Sequence, residues 1–217
     1  MMVRVLRHWR VGFDIEPRVA GFAPLIGILV GGVGVAINSA LDDGDLRVGV
    51  FPWTLTFAMG CLGACSLGLL RVHGPSPTGA LVVGAWWTTL AVWAIGGFFM
   101  AVAIGALIGL DEEDAGIAVM PPLLGMMFGV LSIAPAMATL AMGMSRARVL
   151  PRWSRFAAWA AAPAVPLLLL LGITEGAVET IGSSALMALF GAAWITMGIS
   201  ITRHRRDATN KQSHHHG

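Results

Sequence analysis

Six stretches of the chain run almost without charge, and short polar connections separate them. The apolar runs fall near 19–41, 50–70, 79–110, 115–145, 156–174 and 178–202. Each has at least the roughly 17–25 residues that a helix needs to cross a hydrocarbon layer about 30 Å thick. One segment can cross only as a helix, because every backbone N–H and C=O must find its partner within the segment. The pattern therefore predicts an all-α, polytopic membrane bundle of six transmembrane helices. A basic segment at 1–18 precedes the bundle at 19–202, and a basic tail at 203–217 follows it.

Two runs do not read as simple crossings. The third, 79–110, would reach about 48 Å as a straight helix, so it is expected to tilt, to bend at Gly96-Gly97 or to project past the headgroups. In the fourth, Pro121-Pro122 suits a first helical turn. That leaves DEEDAGIAVM as an external connection.

The connections alternate in charge. Arg4, Arg7, Arg10 and Arg18 precede the first run, and Asp42, Asp43 and Asp45, with one Arg47, follow it. Arg71 and His73 come next, then Asp111, Glu112, Glu113 and Asp114. Arg146, Arg148, Arg152 and Arg155 fill the fourth connection, Glu175 and Glu179 the fifth, and Arg203, Arg205, Arg206 and Lys211 the tail. Thirteen of the 14 basic residues fall on one face of the bundle and nine of the 12 acidic residues on the other. The positive-inside rule then puts both termini in the cytoplasm.

Composition agrees. Hydrophobic residues make up 56% and charged ones 12%, about half the share usual in soluble domains, and mean hydropathy is +0.77. Basic residues are nearly all Arg, with one lysine, and Ala, Gly and Val are abundant. That usage fits a GC-rich bacterial genome, and hence the cytoplasmic (inner) membrane. The opening MMVRVLRHWRVGFDIEPR carries Asp14 and Glu16 and lacks a small-residue cleavage site, so it is not read as a signal peptide. The closing SHHHG is assigned no metal.

No span carries Asp, Glu, Lys, Arg or His near its centre. Intramembrane ionisable groups mark proton relays, ion coupling and voltage sensing, so a self-sufficient ion-coupled pump is disfavoured. Without intramembrane His there are no axial ligands for a b-type haem and no zinc site. No cofactor or metal is expected. The adjacent acids Asp111–Asp114 point in different directions, whereas a cation site needs convergent oxygens. LDDGDLR resembles a calcium loop but does not complete one, and reads as a turn. Cys61 and Cys65, four apart, share a helix face and read as small packing residues.

Gly27 and Gly31, Gly105 and Gly109, and Gly125 and Gly129 form three small-xxx-small pairs, the spacing that lets helix backbones approach closely in lipid. Trp9, Trp53, Trp153 and Trp159 stand near span ends, at headgroup depth. Trp86 and Trp93, seven apart with Thr89 between them, share one helix face. With Asn38 and Thr54 near the outer ends of the first two spans, they form the candidate site for a neutral, lipophilic or aromatic ligand. The basic RHWR and RARVLPRWSR segments suit anionic headgroups, and no nucleic acid is expected.

RARVLPRWSRFAAWAAAPA, a basic turn, then Pro-Arg-Trp, then an Ala-rich helix, resembles a pattern recurrent in uncharacterised bacterial six-helix membrane proteins. That resemblance implies topology and no activity. Ala36 and Ala40 resemble the small-residue docking pattern of substrate-capture subunits of energy-coupling-factor importers. Three functions follow as expectations. The first is the membrane component of a transport system for a small neutral or lipophilic molecule, dependent on a partner for energy. The second is a structural or regulatory subunit of a larger membrane complex. The third is a membrane enzyme acting on lipid or quinone. A protein partner or homo-oligomer is expected alongside membrane lipid.

Overall fold

A computed structural model describes residues 16–40, 44–72, 77–109, 112–148, 150–164, 167 and 177–213. All regular structure among them is helical. The helices are α1 (Pro17–Ala40), α2 (Gly44–Val72), α3 (Gly79–Ile108), α4 (Glu112–Ala147), α5 (Arg152–Ala161) and α6 (Ala177–Ser213). Five contain a stretch long and apolar enough to cross a membrane: Arg18–Ile37, Val50–Val72, Gly79–Ile108, Ile117–Ala147 and Ser184–His204.

The helix ends follow from local chemistry. Pro17 opens α1, where its missing N–H costs no hydrogen bond. Thr78 caps α3, its Oγ1 accepting from the N–H of Leu81 at 3.3 Å. The same helix stops at Gly109, which sits in the left-handed region at φ 69° and donates its N–H to Gly105 O. The third apolar run is thus one helix of 30 residues, continuous through Gly96-Gly97, about 45 Å long at 1.5 Å per residue.

The reading of DEEDAGIAVM as a connection is corrected: α4 begins at Glu112 and carries Pro121 and Pro122 inside it. Proline's fixed φ is compatible with a helix, and its penalty is the lost bond to the carbonyl four residues back. Here the freed carbonyls belong to residues 117 and 118, at the start of the apolar span Ile117–Ala147. The acids at 112–114 stand in the first turn of α4, complementing the positive end of the helix dipole.

The fifth run also starts earlier than the apolar pattern suggests. Pro151 precedes α5 as its extended cap residue, and the helix begins at Arg152. Ala164 is fully buried, and Leu167 donates its N–H to Pro163 O. Most of the remainder of 156–174 lies outside the described residues.

Packing is antiparallel between neighbours. On α1, Gly27 faces Ala58 and Cys61 of α2, while Gly68 of α2 faces Ala20. Gly129 of α4 faces Ala91 and Ile95 of α3. Helix α6 also runs against α1, with Gly198 against Gly21 and Pro24, and Gly191 against Ile28. Each of α2 and α5 bridges to α6, whereas α3 and α4 are not in contact with it among the described residues. The core joins Leu69, Leu81, Met137, Leu140, Met144, Trp194, Met197 and Ile201, all fully buried. Lipid takes the place of water outside, so large apolar side chains such as Leu107, Leu124 and Leu131 stand exposed without cost in a membrane.

Candidate functional site

The small residues set how near the helices come. A Cβ on Gly27 would stand 2.7 Å from Cys61 Cβ, one on Gly31 would stand 3.3 Å from Ala58 Cβ, and one on Gly129 would stand 2.8 Å from Ile95 Cγ1. Gly105 is buried inside α3. Gly109 serves as the helix cap, and Gly125 has open space around it. Tighter approaches occur at glycines outside these three pairs. Gly84 of α3 lies against the backbone of Leu140, and Gly143 of α4 against the backbone of Leu81. Spacing along one helix could not identify these, because each glycine's partner lies on another helix.

Two of the candidate ligand-binding residues meet at the α2–α3 seam. The Thr89 hydroxyl donates to Ala85 O at 2.8 Å and to Gly63 O at 3.4 Å. Trp93 lies over the same glycine, whose missing Cβ would stand 2.7 Å from Trp93 Cδ1. Two helical turns away, Thr56 donates to Pro52 O at 2.9 Å and to Gly96 O at 3.2 Å. Trp86 is half-buried on α3. Thr54 lies farther along α2, donating to Phe51 O at 2.8 Å and covering Gly34 of α1. Asn38 belongs to α1, and its side chain lies outside the described residues.

Most interior hydroxyls are spent on backbone carbonyls. Ser66 donates to Leu62 O, Ser132 to Gly129 O and Ser200 to Thr196 O, the local bonding by which such residues fit an apolar helix. Two buried groups differ. Thr88 Oγ1 and Trp194 Nε1 have no hydrogen-bond partner among the described residues, and both side chains are fully buried. Leaving such a group unsatisfied costs about 1–3 kcal/mol.

These two groups lie at a similar depth on two helices, α3 and α6, that are not in contact among the described residues. Gly191 and Gly198 bracket Trp194 and pack on Ile28 and Gly21 of α1. The same part of α1 packs on α2 between Cys61 and Gly68. Thr89, beside Thr88, reaches Gly63 O within that stretch. Sequence reading counts Thr88 among the polar residues of the spans but cannot separate it from Thr89, because an adjacent pair of threonines does not reveal which hydroxyl finds a carbonyl. Trp194 carried no signal beyond its place near a span centre.

At the basic end the helices leave two shallow cavities. One, of about 350 Å³, is lined by Ser145, Arg152, Arg155, Phe156 and Trp159. The other, of about 460 Å³, is lined by Arg148, Leu150, Pro151, Trp153, Ser200, Arg203 and His204. Among the described residues no three His, Cys, Asp or Glu side chains come together as a metal group. Comparison of the chain with protein-family models, with curated proteins and with solved structures finds no match.

Proposed function

We propose that this chain is the membrane component of a transport system for a small neutral or lipophilic molecule, and that a partner protein supplies the energy. The observation that carries this reading is a pair of fully buried groups, Thr88 Oγ1 on α3 and Trp194 Nε1 on α6, that have no hydrogen-bond partner among the described residues. A buried donor calls for an acceptor, and a neutral ligand bearing a carbonyl, ether or hydroxyl oxygen provides one. The spans hold no Asp, Glu, Lys, Arg or His at mid-depth, the residue types through which proton and ion gradients are usually coupled. The Trp86, Thr89 and Trp93 face, with Asn38 and Thr54 toward the outer end, would form the wall and entry of that site.

This reading includes six crossings, with both termini in the cytoplasm of a bacterium. The direction of α6 supports it. Helices α4 and α6 both end on the basic side, where α5 begins, so α5 leaves that side and α6 returns to it. The arginines at both ends of the chain and at 146–155 support the orientation.

The test is purification in mild detergent from the native host, followed by native mass spectrometry and organic extraction. A retained neutral molecule and a stoichiometric nucleotide-hydrolysing partner are expected. Trp194→Phe combined with Thr88→Val should keep the fold and release the molecule. An empty chain without any partner would sink the proposal.

A further inference from the structure

We propose that the basic end, where α4, α5 and α6 converge, binds the phosphate of an anionic phospholipid whose acyl chain lies along Phe156 and Trp159. Four guanidinium groups, those of Arg148, Arg152, Arg155 and Arg203, line the two cavities there. Among the described residues no Asp or Glu lines either cavity. The one ion pair drawn among the described residues joins Arg18 to Glu16, elsewhere on the chain. Arg155 is half-buried, and its Nε is shut off from solvent with no hydrogen-bond partner among the described residues. A partly desolvated cation without a counter-charge is unfavourable, and a phosphate relieves it. The planar guanidinium fork matches phosphate oxygens in pairs.

The backbone gathers these cations. Arg148 holds φ 52°, in the left-handed region that side chains other than glycine seldom enter. Its N–H closes the end of α4 on Met144 O, and the turn seats Leu150 in the core. Pro151 then starts α5 without a side-chain cap, which leaves the positive end of that helix facing the same region. On the other side, Arg203 of α6 lies 6.0 Å from the Trp153 ring, a cation–π contact that draws α6 to this end.

The apolar half of the site identifies the lipid. Arg152, Arg155, Phe156 and Trp159 all line the first cavity, at spacings of three, four and seven that put them on one helix face. Along about 10 Å of helix this face changes from cation to aromatic. Phe156 is 72% exposed and Trp159 44%. A soluble phosphate would leave those rings uncovered, whereas a phospholipid covers both halves at once.

The experiment uses the full chain in mild detergent, delipidated and then offered equimolar phosphatidylglycerol and phosphatidylcholine, with bound lipid counted by native mass spectrometry. Phosphatidylglycerol should be retained in clear preference. Arg152→Gln with Arg155→Gln should cut its retention about thirtyfold, as expected for two interfacial charges, while Arg18→Gln leaves it unchanged. Arg152→Lys with Arg155→Lys, which keeps the charge should the first pair fold poorly, should retain most of it. Equal retention of the two lipids, or undiminished retention by the glutamine pair, overturns the proposal. Complete displacement by millimolar inorganic phosphate, with Phe156→Ala and Trp159→Ala having no effect, also overturns it and leaves a soluble-phosphate site instead.

Discussion

Gly84 of α3 and Leu140 of α4 meet backbone to backbone: a Cβ built on Gly84 would stand 2.5 Å from the Cα of Leu140. Gly143 makes the reciprocal approach to Leu81, one turn farther along. Neither contact can be relieved by a side-chain rotation, because the opposing atoms are main chain. The α3–α4 seam therefore depends on the absence of two methyl groups.

Gly84→Ala and Gly143→Ala should each destabilise the bundle by about 1–3 kcal/mol, the usual cost of overpacking. Thermal unfolding in detergent, followed by circular dichroism, reads this directly. Gly125→Ala is the matched comparison, since nothing lies within 4 Å of its added methyl. It should be neutral, or gain up to about 1 kcal/mol from better helix propensity. Identical melting of all three variants would contradict the packing of α3 on α4.

Gly109 ends α3 at φ 69° with open space around it, so its requirement is conformational and not steric. Gly109→Ala should cost about 1–2 kcal/mol. Gly109→Asn should cost less, because asparagine visits the left-handed region more readily. The same melting assay would show equal losses for the two variants if the cap were of no consequence.

Two hydroxyls that cross between α2 and α3, Thr89 to Gly63 O and Thr56 to Gly96 O, hold that seam. Replacing either by valine should lose about 0.6 kcal/mol, the average for interhelical hydrogen bonds in a membrane. Thr88→Val behaves differently in ligand-free protein, since Thr88 Oγ1 has no partner among the described residues. Stability should hold or rise. A loss equal to that of Thr89→Val would reveal a partner for this hydroxyl.

The six-crossing topology predicts opposite labelling of alternate connections. In a Cys61→Ala, Cys65→Ala background, single cysteines at Ser76 and Ser213 should react with an impermeant maleimide only after the membrane is opened. Cysteines at Glu113 and Glu175 should react in intact cells. Protection of the Glu175 position would remove the fifth crossing from the proposal.

The alternation of charge-free runs with basic and acidic connections determined the class, the helical content and the placement of most apolar helices, several to within a few residues. Hydropathy acts residue by residue, so a linear reading captures it. Helix boundaries were less legible where proline stands. Pro121 and Pro122 marked a helix start to the eye, yet α4 begins at Glu112, because proline's fixed φ is compatible with a helix and it forgoes only the bond to the carbonyl four residues back.

Only the tertiary structure decided which small residues carry packing and which polar groups lack partners. Gly125 belongs to one of the three pairs and faces open space, while Gly84 lies outside them and touches backbone. Thr89 and Thr88 are neighbours of one chemical type, yet one hydroxyl reaches Gly63 O and the other reaches nothing among the described residues. The gathering of Arg148, Arg155 and Arg203 at one end likewise depends on the left-handed turn at Arg148 and on α6 running back beside α5. The physical reason is common to all three cases. Apolarity is a property that each residue carries along the chain, whereas a close approach or an unsatisfied donor is defined by the helix that happens to stand opposite.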